Sequence, residues 1–222
     1  MEDKNTNFYE QMPVLPLRGL TLFPGMTIHF DVGRERSSNA LKAAMLRDQR
    51  IFLVTQRDLQ KDDPARGDLY EVGTVSVVRQ VLRLPGENMR ILVEGQYRAT
   101  LLDLIQSEPY LFGRVMRLDD EPCGKKTPRT EALIREAYNL FEQFAELSQR
   151  NMQESLMQLA ASEDAGFIAD LIGQNASFAY SEKQKLLEQA QPVRRLEQAV
   201  RMLAKELDIM KLESEISDKV QQ

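Results

Sequence analysis

The segment Gly124-Lys125-Lys126-Thr127 comes nearest to spelling out a known chemistry, a backbone loop that cradles phosphate. It lacks the earlier glycine of G-x-x-x-x-G-K-[ST], and no strand runs directly into it, so it reads as a linker. The acidic clusters Asp62-Asp63 and Asp119-Asp120-Glu121 lack the spaced oxygen ligands and turn glycine of a calcium loop. They read as solvated surface. One cysteine, Cys123, excludes an internal disulfide and a cysteine-based zinc site, and reads as an incidental linker residue. The single histidine, His29, lies opposite the apolar face of its strand, and no other histidine remains to activate a serine or cysteine. Counting leaves a Ser–Lys pair open, but nothing local supports one. The expectation is a chain with no catalytic residues, no metal site and no cofactor.

Three segments can carry binding instead. Leu20-Thr21-Leu22-Phe23-Pro24-Gly25-Met26 is too apolar for an ordinary loop, and Pro24-Gly25 prevents a regular central strand. Its side chains either tuck under a barrel as a lid or stay exposed to take apolar segments of another protein. Leu22, Phe23, Pro24 and Met26 are the candidate contacts. Gly33-Arg34-Glu35-Arg36-Ser37 opens a helix, and Arg34, Glu35 and Arg36 are its candidate rim charges, with a solvated helix start as the alternative. Pro109-Tyr110-Leu111-Phe112 sets Tyr110 and Phe112 beside a proline, as core or as rim.

The secondary structure expected to carry these residues falls into two halves. Eight of nine prolines lie at or before Pro128, and nine of eleven glycines at or before Gly124. Up to Leu118 there are 16 basic and 15 acidic residues; from Asp119 onward there are 13 and 19. The organisation expected is a β-rich domain over 1–118, a linker over 119–128 and a helical bundle over 129–222. In Thr27–Val32 the residues Ile28, Phe30 and Val32 share one face. Ile51–Thr55 reads as a strand buried on both faces. Val72–Leu84 and Met89–Ile105 flank a hairpin loop at Pro85-Gly86-Glu87-Asn88. Gly73, Gly95 and Gly113 suggest bulges or tight corners. A helix capped by Ser37 or Ser38 carries Ala40, Leu41, Ala44 and Met45 inward. About six short strands plus this helix predict a compact barrel or pseudobarrel, within an α+β chain.

In the second half Leu133, Ala137, Leu140, Phe141, Phe144 and Leu147 line one helix face. Shorter helices are expected around Met152–Ala161 and Glu163–Ile172, with a stop at Gly173-Gln174-Asn175 and a cap at Ser181. The last helix, about 192–222, starts at Pro192. Val193, Leu196, Val200, Leu203, Leu207 and Met210 recur at spacings of 3 and 4, an a/d seam fit for assembly. The stripe then shifts to Ile209, Leu212, Ile216 and Val220. It still runs at Lys219-Val220-Gln221-Gln222, which reads as a helix continuing in a longer parent, with a frayed end as the alternative.

Overall composition narrows the classes further. The 222 residues are 42% apolar and 28% charged, ordinary globular usage. The net charge of −5 is no nucleic-acid footprint. No apolar run approaches the roughly 20 residues of a membrane span. Met1–Thr6 has no basic stretch leading into an apolar core, so no signal peptide is expected.

An ordered set of fragments carries a family resemblance. Pro13-Val14-Leu15-Pro16-Leu17-Arg18, Leu22-Phe23-Pro24-Gly25-Met26 and Val32-Gly33-Arg34-Glu35-Arg36-Ser37 resemble the opening signature of the Lon protease N-terminal domain. Gly73-Thr74-Val75, Leu84-Pro85-Gly86 and Leu92-Val93-Glu94-Gly95-Gln96-Tyr97-Arg98-Ala99 resemble its second block in order and spacing. Ala169-Asp170-Leu171-Ile172, Glu182–Glu188, Arg195-Leu196 and Glu206-Leu207-Asp208-Ile209 are similar to the helical extension of bacterial Lon. Together they span roughly residues 12–220.

The resemblance implies a PUA-like β-rich pseudobarrel joined to a helical bundle with one long terminal helix. It implies a cytoplasmic parent with an ATPase module, using ATP and Mg, and a Ser–Lys peptidase module, assembled as a hexamer. No catalytic or nucleotide-binding residue of those modules has a counterpart here. The role implied for this chain is to recognise unfolded or misfolded proteins, to help deliver them, and to support self-association. The competing readings are a stand-alone Lon-domain adaptor, a PUA-like RNA binder, against which the acidic charge argues, and an enzyme of another type.

Overall fold

A computed structural model describes residues 8–220. The expectations placed on Met1–Thr6 and on Gln221-Gln222 lie outside the described residues. The chain divides into two compact units, Met1–Asp119 and Asp120–Gln222.

The first unit contains β1 (Tyr9–Leu17), β2 (Thr27–Val32), α1 (Glu35–Met45), β3 (Arg50–Thr55), β4 (Val72–Arg83), β5 (Met89–Gln106) and β6 (Phe112–Arg117). They form one mixed sheet in the order β2-β5-β4-β3-β1-β6, with a further β5–β6 pairing. β1 and β3 run parallel, and the other pairs are antiparallel. Alternate residues of the strands build the core: Met12 and Val14, Phe52 and Val54, Ala99 and Leu101 are buried together with Leu69, Val75, Leu111 and Val115. Helix α1 turns Ala40, Leu41 and Ala44 inward and packs on β1 and β3.

The expected PUA-like pseudobarrel is corrected by this topology: the strands make a mixed sheet, not a barrel. Among the described residues β2 pairs with β5 alone and closes onto no other strand. The physical reason lies in β1, where Pro16 has no N–H to offer a neighbour. Its carbonyl is already taken by Nη2 of Arg34 at 2.8 Å. Nor are the strands uniformly short. β5 is 18 residues long and serves β2 with its first third and β6 with its end from Ala99 onward.

Two of the glycines are required by close approach. A Cβ at Gly73 would lie 2.4 Å from the Leu53 carbonyl oxygen, and one at Gly95 would lie 2.5 Å from that of Phe23. Register shifts between Val75 and Ser76 and between Leu101 and Asp103 mark the bends of β4 and β5.

The second unit contains α2 (Pro128–Ser148), α3 (Gln153–Ala161), α4 (Ala165–Asn175), α5 (Tyr180–Glu188) and α6 (Pro192–Val220). Pro128 occupies the first turn of α2, and the Thr127 hydroxyl accepts the Thr130 amide at 3.2 Å. α6 packs on α2 and α4. Phe141 and Phe144, Ile168 and Ile172, and Leu196 and Leu203 are buried in this bundle. Each such side chain is worth about 1.5–3 kcal/mol of burial.

Three helix ends differ from expectation. α1 begins at Glu35, so Ser37 and Ser38 sit within it rather than capping it. α5 begins at Tyr180, one residue before Ser181. α4 runs through Gly173 to Asn175, because burial of the glycine against the bundle outweighs its weak helix propensity.

Candidate functional site

The opening segment folds inward. Phe23 is 0% exposed, and Leu22 and Met26 are buried with it, while Pro24 is half-buried and Leu20 is exposed. Distant strands hold it there. The Thr55 hydroxyl donates to the Leu20 carbonyl at 2.6 Å, and the Thr74 hydroxyl to that of Leu22 at 2.5 Å. Gly95 donates its amide to the Met26 carbonyl and accepts the Gly25 amide, both at 2.9 Å. With their polar backbone satisfied, the apolar side chains are free to join the core. Leu22, Phe23 and Met26 are therefore supports beneath the surface, and of the four candidate contacts only Pro24 reaches it.

Next to this segment, between β1 and β2, lies a cleft of about 370 Å³ lined by Leu17, Leu20, Phe30, Val32 and Arg34. Arg34 is a brace rather than a free rim charge. Its guanidinium donates to Gln56 Oε1 at 2.5 Å and to the Asp62 carbonyl at 3.1 Å, besides Pro16. Burial, then the neighbouring Arg18, lowers its pKa against the pull of Asp62 and Asp63. An arginine keeps its charge all the same. Glu35 is exposed. Arg36 donates to Glu108 and lies 3.7 Å from Asp63. Tyr110 and Phe112 meet edge to face with ring centroids 6.3 Å apart, and Arg47 sits 5.2 Å over the Phe112 ring. The rim expected from sequence is thus a web of mutually engaged groups.

A second surface was missed in the sequence. Between the end of α1 and the β4–β5 hairpin lies a groove of about 840 Å³ lined by Leu41, Met45, Leu46, Val81, Leu84 and Met89. Leu46 is 87% exposed, and Leu82, next to Val81 in sequence and outside the groove lining, is 58% exposed. The signal was present: Val81 and Leu82 are both apolar, so a strand cannot bury the pair on one face.

In the second unit, Leu196, Val200, Leu203 and Leu207 are buried and Met210 is half-buried. The seam faces α2 and α4 of its own bundle. Beyond it Ile209, Leu212, Ile216 and Val220 are exposed.

The residues tested for chemistry hold structural places. The Gly124–Thr127 stretch ends as the cap of α2. Cys123 is exposed. Asp62 pairs with Arg18, Asp119 with Arg117, and Asp120 with Arg195. Among the described residues no group of three His, Cys, Asp or Glu side chains is placed to hold a metal, and no helix is long and apolar enough to cross a membrane.

Comparison with known proteins bears on both units. The family model of the ATP-dependent protease La (LON) substrate-binding domain matches residues 11–205. A Lon protease of Syntrophomonas wolfei is 41% identical over 212 residues, covering 96% of this chain and 26% of that protein. One of Heliobacterium modesticaldum is 40% identical over 219 residues, covering 99% and 27%. The chain therefore spans about a quarter of the length of these relatives. The solved N-terminal domain of a Mycobacterium avium complex Lon protease superposes with a TM-score of 0.67 at 22% identity, over 90% of this chain and 98% of that one. A Lon N-terminal domain protein from Xanthomonas campestris gives 0.62 at 17% identity, over 86% and 98%. At those identities the two structures speak to the fold.

Proposed function

This chain belongs to the Lon protease substrate-binding domain family and corresponds to the non-catalytic N-terminal domain of those proteases; from that premise we propose that it captures unfolded or damaged proteins and helps deliver them to ATPase and peptidase modules. The parent is an ATP-dependent serine protease of the cytoplasm, assembled as a hexamer. The observation that carries the capture role is the exposed apolar groove that Met45, Leu46 and Val81 line. A native protein seldom leaves such a patch uncovered without a partner, and an unfolded client exposes the apolar segments that fit it. Pro24, Arg34, Glu35, Arg36, Tyr110 and Phe112 are further candidate contacts on the first unit, and Leu22, Phe23 and Met26 support the segment that carries Pro24 from below. Several copies on one ring would turn weak capture into avid capture.

Self-association has support in α6. Its seam from Leu196 to Leu207 is used within the unit, which leaves Ile209, Leu212, Ile216 and Val220 as the stripe offered to another copy.

The test is binding of a fluorescently labelled, reduced and alkylated model protein to the full 222-residue chain. Leu46→Glu and Val81→Glu are expected to weaken binding about tenfold or more while leaving stability within about 0.5 kcal/mol. Undiminished binding by both folded variants removes the groove from the site.

A further inference from the structure

We propose that the free edge of β2 takes up an extended, unfolded polypeptide segment as an added strand, its alternate side chains entering the cleft between β1 and β2. This rests on the reading of the chain as a client-binding domain and names the form in which a client is held.

The sheet itself tells which backbone groups of β2 face outward. The Val78 amide donates to the Gln49 carbonyl at 2.9 Å, so Val78 faces β3 and its neighbour Val77 faces β5. Val77 stands opposite Glu94, so Glu94 turns to β4 and Val93 turns to β2. The Gly95 amide, two residues on, bonds to Met26 on the β2 side, as this alternation requires. Ile28, Phe30 and Val32, opposite Val93, Ile91 and Met89, therefore spend their backbone groups on β5. Thr27, His29 and Asp31 turn their amides and carbonyls to the open side. Among the described residues no hydrogen-bond partner fills these positions, and all three residues are exposed.

Such an edge specifies its occupant. Amides and carbonyls alternating at roughly 3.4 Å per residue are matched by another extended backbone and by little else. β1 cannot be that partner, since Pro16 has no amide and Arg34 holds its carbonyl. The cleft of about 370 Å³ beside the edge, lined by Leu17, Leu20, Phe30 and Val32, receives the side chains an added strand would point inward. Asp31 is tied to Arg90 by two hydrogen bonds of 2.7 and 3.1 Å, so its carboxylate is already neutralised and does not repel an incoming apolar segment. A native protein has its strands paired already. An unfolded one supplies free extended backbone, so this mode selects for loss of structure rather than for a particular sequence.

The test uses the full chain and a short synthetic peptide with valine at alternate positions and lysine or threonine between them. A second peptide has the same side chains but N-methyl groups on the amides that would meet the edge. Expected are amide exchange slowed about tenfold or more at Thr27, His29 and Asp31 by the first peptide, and about tenfold weaker binding of the second. His29→Pro removes one outward amide without touching the β2–β5 ladder, and is expected to weaken the first peptide to a similar degree. Equal affinity of the two peptides overturns the proposal, with or without a folded proline variant. So does unchanged exchange at the three residues while an unfolded protein still binds, an outcome that leaves the client-binding reading standing. Loss of all binding to unfolded protein removes that reading and this one with it. Protection that grows with chain concentration in the absence of peptide assigns the edge to a second copy and overturns the proposal.

Discussion

Arg195 of α6 holds Asp120 in a bidentate fork, Nη1 to Oδ1 at 2.8 Å and Nη2 to Oδ2 at 2.9 Å. The same side chain, 1% exposed, donates to the Gln189 carbonyl at 2.7 Å and lies 3.1 Å from Asp170. Burial alone would lower its pKa; the hydrogen bonds to Asp120 and the charge of Asp170 outweigh it and raise it instead. The start of the second unit is thus pinned to its longest helix by one guanidinium.

Arg195→Met leaves buried Asp170 without its cation. The expected cost is about 3–5 kcal/mol, read by denaturant unfolding of the second unit. Adding Asp170→Leu should return part of the loss, because the stranded charge is removed as well. An additive double variant would show that the two groups act independently.

Phe23→Ala empties a fully buried site and is expected to cost about 3–5 kcal/mol. Gly95→Ala drives a methyl toward the Phe23 carbonyl and should cost about 1–3 kcal/mol. Both losses should appear in unfolding of the first unit. Preserved stability in Phe23→Ala would mean that the opening segment is not packed as described.

Glu10 accepts hydrogen bonds from Tyr97 and Arg50. Burial would push its carboxyl up, but these two donors hold it below its ordinary value of 4.5. The native chain therefore releases this proton more readily than the unfolded chain. Its contribution to stability is present at neutral pH and is lost as pH falls through the folded value. Glu10→Gln should lower stability at pH 7, and the gap from wild type should shrink as melts are repeated below pH 4.5. A gap independent of pH would sink this assignment.

Burial, then the charge of Arg150, pulls the Lys183 ammonium down to about 8 from 10.5. Between those values the unfolded chain binds the extra proton, so the stability contributed by this residue rises with pH across the window. Lys183→Met should flatten that rise in thermal melts taken at pH 7 and pH 10. An identical rise in the variant would place the titration elsewhere.

Along α6, Leu203→Ala should cost about 2–5 kcal/mol, since Leu203 is buried against its own bundle. Leu212, 57% exposed, should tolerate alanine within about 0.5 kcal/mol. Leu212→Glu should abolish any self-association seen by sedimentation of the full chain. Association that persists in Leu212→Glu would argue against the exposed stripe.

Much of this protein is legible in its amino-acid order. The clustering of proline and glycine before residue 128 and the 3.6-residue periodicity after it determined a β-rich first half and a helical second half. Both are local properties of composition and spacing. The ordered fragments from Pro13 to Ile209 determined the family. Which apolar residues meet solvent is set by the packed fold, not by local pattern. Phe23 and Leu46 are both apolar residues in turns, yet one is sealed and the other bare. The difference is made by Thr55, Thr74 and Gly95, tens of residues away in sequence, which satisfy the backbone around Phe23 and let it sink. The packed fold also decided that the sheet leaves β2 with an open edge. That outcome depends on Pro16 meeting Arg34, a pairing across 18 residues that no local pattern encodes. Periodicity reports which face of an element is apolar; what covers that face is set by contacts between elements.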